Sequence, residues 1–179
     1  MTVATDPLAD TRRWLEHAVI GLNLCPFAKA VYAKQQVRFV LSDASTPDAL
    51  LTQLGEEMLL LRETPAEQID TTLLVHPGVL TDFLDYNDFL ELADGLIDTL
   101  QLDGVLQVAS FHPDYQFAGS APDDIENSSN RAPYPTLHLL REDSVSRAVE
   151  VFSEPETIIE RNAETLRGLG HDGWRELFS

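Results

Sequence analysis

Apolar residues recur along this chain with two different periods, and their alternation predicts an α/β fold. Leu50, Leu51, Leu54, Met58 and Leu61 fall three and four apart behind Thr46-Pro47, a helix start with a capping hydroxyl and a proline at the first position. Residues 79–101 carry the clearest helical pattern. Leu80, Phe83, Leu84, Leu90, Ala93, Ile97 and Leu100 form one face, and Asp82, Asp85, Asp88, Glu91, Asp94 and Asp98 lie mostly on another. Asp6-Pro7 opens an earlier helix through Trp14, Leu15, Ala18 and Val19. It breaks at Gly21 to Pro26 and resumes as a short helix to about Lys34. Between these stand short β-branched and aromatic runs, at 37–41, 71–75, 105–111 and 136–140, which predict strands. Ser153-Glu-Pro-Glu156 is a capping box opening a last helix closed by Gly168 and Gly170, and 173–178 is a short segment that docks its aromatics on the body.

The element order α, β, α, β, α, β, β, α contains two β–helix–β units, which predicts right-handed crossovers and three parallel strands. The link from the third strand to the fourth shows no helical pattern, so an antiparallel fourth strand is the simpler choice. The expectation is therefore one α/β domain over residues 1–179, with a mixed sheet of about four strands and flanking helices. The link, residues 112–135, is 24 residues long and rich in Pro, Asn and aromatic side chains. Loops of that length inside compact domains are usually functional, so it is a candidate functional loop.

Charge narrows the choice of partners. The 179 residues carry 12 Lys and Arg against 30 Asp and Glu, a formal charge of −18. That balance argues against a protein that grips nucleic acid or an anionic membrane. No apolar run reaches the length of a bilayer span, and the N-terminus lacks the basic and apolar regions of a signal peptide, which together predict a cytoplasmic protein. From Thr64 to Asn130 there are thirteen acids and no Lys or Arg, before Arg131, Arg141 and Arg147 follow. The acidic stripe on 79–101 is most simply a solvated helix face, although such a stripe can also recruit cations or a basic partner. The isolated arginines suggest paired or ligand-facing cations.

The second strand ends in Val75-His76-Pro77 and the third in Phe111-His112-Pro113. Proline cannot continue a ladder, so each His should close its strand. In parallel strands both imidazoles would stand at the C-terminal edge, where open α/β sheets bind ligands. An antiparallel fourth strand would bring His138 back to that edge, under a loop holding Asp114, Asp124, Asn127, Asn130 and Arg131. Three imidazoles with an open position could hold zinc, iron(II) or copper, with Asp114 and Asp124 as supporting carboxylates. A His beside a carboxylate could equally act as a base without metal, and His-Pro can simply be a tidy way to end a strand. No His-Glu-x-x-His motif, Gly-x-Ser-x-Gly elbow, Gly-rich phosphate loop or dinucleotide fingerprint is present. Cys25 in Leu24-Cys-Pro-Phe27 rules out an internal disulfide. It reads as a small buried hydrophobe, or as a nucleophile if it opens the helix after Pro26.

Long motifs resemble a small bacterial family catalogued as domain of unknown function 1415. They are 21–28, Leu73-Leu-Val-His76-Pro, 82–90, 106–117, Asn127-Ser-Ser-Asn130-Arg131-Ala-Pro-Tyr-Pro135 and 137–142. The resemblance spans about residues 12–150 and implies that His76, His112, Arg131, His138 and Arg141 lie in characteristic segments. The family pattern near the asparagines is Asn-Tyr-Thr-Asn-Arg-Ser-Pro-Tyr-Pro, from which Ser128, Ser129 and Ala132 depart. Hydroxyls at those three positions therefore carry no catalytic weight.

Three functional classes follow from these residues. One is an enzyme of hydrolysis or group transfer on a small anionic substrate. In it His76, His112, His138, Asp114 or Cys25 would do the chemistry, while Asn130, Arg131 and Arg141 clamp phosphate or carboxylate. The second is a binding module for an anionic metabolite, using the same arginines. The third is an interaction domain presenting the acidic helix. No cofactor is specified by the sequence, and a metal, if held, would fall to the three histidines.

Overall fold

The computed structural model describes residues 4–151 and 157–179. Their chain folds as a single α/β domain around one four-stranded sheet. Helix α1 (Pro7–Trp14) starts where expected, with the Asp6 carboxylate accepting from the amides of Leu8 and Ala9. It continues as a π-helical turn, Leu15–Ile20, that ends at Gly21. A Cβ at Gly21 would stand 2.2 Å from the His17 carbonyl oxygen, so this wide turn requires glycine. Then follow α2 (Ala28–Ala33), β1 (Val37–Leu41), α3 (Pro47–Glu63), β2 (Thr71–Val75) and α4 (Phe83–Thr99). The second half comprises β3 (Leu106–Phe111), a 3-10 turn at Ile125–Asn130, β4 (Thr136–Arg141), α5 (Glu142–Val151) and α6 (Ile158–Glu176).

The strand order is β1-β2-β4-β3. Only β1 and β2 pair in parallel, because β4 enters between β2 and β3 and pairs antiparallel with both. The expected three-stranded parallel ladder is thus replaced by one parallel and two antiparallel ladders. The long loop 112–135 is what permits this: it lets the chain re-enter the middle of the sheet rather than its margin. Since β3 and β2 both oppose β4, they run the same way. Thr136 stands opposite both Val75 and Phe111, so β2 and β3 end level at one edge, just where β4 begins.

Each sheet face carries its own apolar cluster, as the period of two in a strand requires. Leu74, Leu106, Leu137 and Leu139 point into the larger cluster with Leu50, Leu54, Met58 and Leu61 of α3 and Tyr86, Phe89, Ala93 and Ile97 of α4. On the other face Trp14, Leu15, Ala18 and Val19 pack with Phe39 and Phe111, joined by Trp174, Leu177 and Phe178 from the C-terminus. The docking expected of 173–178 therefore occurs. Gly170, with non-helical φ 71° and ψ 174°, closes the first part of α6 as expected, and a second short helical stretch runs on to Glu176. The capping box at 153–156 lies outside the described residues. Helix α5, not foreseen in the sequence, buries no side chain. The carboxylates Asp85, Asp88, Glu91, Asp94 and Asp98 of α4 are all exposed, a solvated face.

Candidate functional site

Residues 76–82, which join β2 to α4, and the loop 112–135 form the two walls of a cleft at the common edge of β2 and β3. His76 continues β2, its backbone N–H donating to the Pro135 carbonyl at 3.0 Å. By alternation its ring points to the α3/α4 face and stacks near Tyr86, with centroids 5.9 Å apart. It is fully buried, and Nδ1–H donates to the Val79 carbonyl at 3.0 Å. That fixes the tautomer and leaves Nε2 as a buried lone pair without a partner. Burial pulls its pKa down to about 4.

His112 closes β3 on the same face, 5.0 Å from Tyr86 and 5.4 Å from Phe83 between ring centroids. Both its nitrogens are engaged. The Asp114 backbone N–H donates to Nδ1 at 3.0 Å, so Nε2 carries the proton and donates to the Leu80 carbonyl at 3.0 Å. Burial again lowers its pKa from the ordinary value. Leu80 has φ 57°, a left-handed conformation uncommon for a non-glycine residue. The two imidazoles thus hold two successive carbonyls of a strained turn.

Tyr86, between the two rings, is a residue sequence reasoning missed. Its hydroxyl donates to the Thr136 carbonyl at 2.7 Å and accepts from the Phe111 N–H at 3.0 Å, closing the sheet edge from below. The signal was available: Tyr86, Phe89, Ala93 and Ile97 are spaced three, four and four apart and form the buried stripe of α4. Leu84, assigned to that face by the wider pattern, is instead 70% exposed at the cleft.

The structure does not bring the third histidine to the edge. His138 lies two residues inside β4, opposite Leu73 and Ala109, and alternation sends it to the other sheet face, 5.9 Å from Phe111. Thr71 Oγ1 donates to the Leu139 carbonyl and therefore accepts from His138 Nε2 at 2.7 Å. His138 is a satisfied core histidine, its pKa also pulled to about 4 by burial. His76, His112 and His138 are thus not a ligand set, and among the described residues no group of three or more His, Cys, Asp or Glu could hold a metal ion.

Arg141 is displaced by the same geometry. It ends β4 at the opposite edge, opposite Leu106, where Nη2 donates to the carbonyls of Thr64 and Ile69 and stitches the α3–β2 connection. It cannot share a ligand with Arg131. Asp114 approaches His112 through its backbone N–H rather than its carboxylate. Asp124 Oδ2 accepts from the Ala121 N–H within a loop turn, so it does not orient an imidazole. Asn130 donates to the Ser110 carbonyl and accepts from Ser129, while buried Asn127 ties Phe117, Ser120 and Ala121 together. Cys25 stands half-buried against the Trp14 cluster, on the sheet face opposite the one that both edge histidines occupy.

Arg131 is the arginine the edge retains. Nε donates to the Tyr115 carbonyl at 3.0 Å and Nη2 to the Pro122 carbonyl at 2.6 Å, while Nη1 has no partner among the described residues. No carboxylate among them lies within ion-pair distance. It lines an open cleft of about 700 Å³ with Thr81, Asp82, Phe83, Leu84, Asp114, Gln116 and Pro122. The N-terminus of α4 opens here, but one Asp82 carboxylate oxygen already accepts from the amides of Leu84 and Asp85.

The family model described as Protein of unknown function (DUF1415) matches residues 6–176. The chain belongs to this family. The match takes in both walls of the cleft, the histidine pair and α6. Neither a search of curated proteins nor one of solved structures finds a match. No helix among the described residues is long and apolar enough to cross a membrane.

Proposed function

We propose that this member of the DUF1415 family binds a small carboxylate-bearing ligand in the cleft at the sheet edge, without chemistry on it. The observation that carries this reading is Arg131. It is a guanidinium without an ion-pair partner among the described residues, lining a concave surface in a protein with an excess of acids. Two of its five N–H donors are spent on backbone carbonyls, one on Nε and one on Nη2, which leaves Nη1 and the second Nη2 hydrogen as a fork that fits a carboxylate. Asp82 and Asp114 in the same lining oppose a phosphate dianion and favour a ligand that also carries an ammonium or hydrogen-bond donor. Phe83, Leu84 and Pro122 supply an apolar flank. A free amino acid or short peptide end has that combination of groups.

Binding is favoured over hydrolysis or group transfer by the state of the imidazoles. A general base needs a nitrogen within reach of substrate, whereas His112 has both nitrogens bonded and His76 is fully buried.

Backbone NMR with acetate, phosphate and a panel of amino acids as probes tests the reading. Saturable shifts are expected at residues 81–84 and 114–116 and at the Arg131 side chain. Amino acids should be the strongest probes, and Arg131→Gln should abolish the shifts. Millimolar probes that leave these resonances unmoved, or shifts that persist in Arg131→Gln, overturn it.

A further inference from the structure

We propose that His112 is the positioning residue that ties the start of the loop wall to the turn wall, and that a proton on its Nδ1 frees the Asp114–Tyr115 segment from that tie. One nitrogen holds each wall. Nε2–H donates to the Leu80 carbonyl on the turn before α4, and Nδ1 accepts from the Asp114 N–H in the loop that carries Arg131. No other side chain among the described residues hydrogen-bonds to both of these segments; the other link between the walls is the backbone bond from His76 N–H to the Pro135 carbonyl, at the far end of the loop.

The chemistry makes this link depend on charge. The neutral imidazole is a donor on one side and an acceptor on the other, as the two walls require. The imidazolium is a donor on both sides. A proton on Nδ1 would face the Asp114 N–H directly, two hydrogens against one another, and that contact must open. The Leu80 contact survives protonation, since Nε2 keeps its hydrogen. What is released is the Asp114 amide and with it the adjoining Tyr115, whose carbonyl holds Arg131 Nε. The turn wall is held a second time, by His76 Nδ1–H on the Val79 carbonyl, and so stays in place.

The groups facing His112 act in both directions. Asp114 on its own loop and Asp82 at the start of α4 favour the charged form, while burial against Phe83 and Tyr86 opposes it. His76, at the end of β2 across β4, is close enough that a charge on either ring opposes one on the other. Release therefore comes on acidification below the ordinary histidine range. The effect on ligand affinity rests on the reading in the preceding subsection; the coupling of the walls does not.

The test is amide hydrogen exchange followed by NMR, expressed as protection relative to the unstructured rate at each pH. In the wild-type chain, protection of the Asp114 amide should fall about tenfold, the worth of one hydrogen bond, as the His112 ring titrates. The Leu74 amide in β2 should keep its protection. His112→Asn places an amide oxygen where Nδ1 stands and does not titrate, so Asp114 should stay protected into acid while the Leu80 contact is lost. His112→Gln places a donor where Nε2 stands, so Asp114 should be unprotected at every pH. Asp114 protection that ignores the His112 titration in the wild-type chain overturns the proposal, and that measurement needs no variant. Equal protection in His112→Gln and wild type overturns it as well. If Asp114 is released on titration yet no probe binds at any pH, the coupling stands and the binding reading fails. If the amino-acid probe binds and Asp114 is not released, the coupling fails alone.

Discussion

His76 shows most clearly how one atom can shape the behaviour of this protein. Its Nδ1–H is used and its Nε2 is buried with nothing to accept, so the neutral ring is tolerated and the charged ring is not. In the unfolded chain the same imidazole takes a proton near its ordinary pKa, 6.5, against about 4 in the native state. Between those values the unfolded state binds the proton that the native state refuses. Stability is therefore full above the upper value and falls as the pH drops toward the lower one, by about 3 kcal/mol for this group. His138, displaced in the same direction, adds its own share. His76→Asn keeps a donor for the Val79 carbonyl and removes the titrating nitrogen. Urea unfolding at about pH 7 and about pH 4.5 should show the variant less stable at the higher pH, by about 1–2 kcal/mol for lost ring packing, yet with a shallower decline into acid. An unchanged acid slope would show that His76 does not set it. The positions of His76 and His112 were legible from His-Pro alone, because proline ends a ladder wherever it stands. Their partners were not, since a carbonyl acceptor leaves no mark on the sequence.

At the scale of elements, α4 shows where periodicity stops being informative. Val79 and Leu80 fit its apolar pattern and extend the predicted helix to residue 79, but the helix begins at Phe83 behind Asp82. The difference is tertiary: two imidazoles from the strands flanking β4 take the carbonyls of Val79 and Leu80, and Leu80 turns left-handed. Those displaced residues build one wall of the cleft, so the error in the boundary coincides with the candidate site. The other end of α4 was predicted to within two residues and closes in a Schellman turn. Leu102 N–H bonds the Ile97 carbonyl, Gln101 N–H bonds the Asp98 carbonyl, and Leu102 is buried. Gln101 occupies the left-handed position of that turn at φ 58° with an exposed side chain. Gln101→Gly should therefore stabilise the protein by about 1 kcal/mol, read as a rise in the urea midpoint with an unchanged slope. A fall in the midpoint would mean that the glutamine makes contacts worth more than its backbone strain.

For the whole molecule, the strand count and the common direction of β1, β2 and β3 followed from the sequence, whereas the neighbour relations did not. Nothing in the residues of β4 says that it enters between β2 and β3, and that single insertion sends His138 to the far face and Arg141 to the far edge. Charge, by contrast, was fully legible. Among the described residues most acids have no ion-pair partner, and α4 displays Asp85, Asp88, Glu91, Asp94 and Asp98 on exposed positions three and four apart. Like charges at that spacing repel by about 0.2–0.5 kcal/mol per pair, and the compact state gathers them more closely than the unfolded chain does. Raising NaCl from low to near-physiological ionic strength should therefore raise the urea midpoint, as screening shortens the reach of the repulsion to about 8 Å. Glu91→Lys turns the pairs with Asp88 and Asp94 from repulsive to attractive. It should stabilise the protein by about 0.5–1 kcal/mol at low salt, and the gain should shrink as salt is added. A midpoint that falls with NaCl in the wild-type chain, or a Glu91→Lys gain that ignores salt, would mean that the acidic face is not a source of strain.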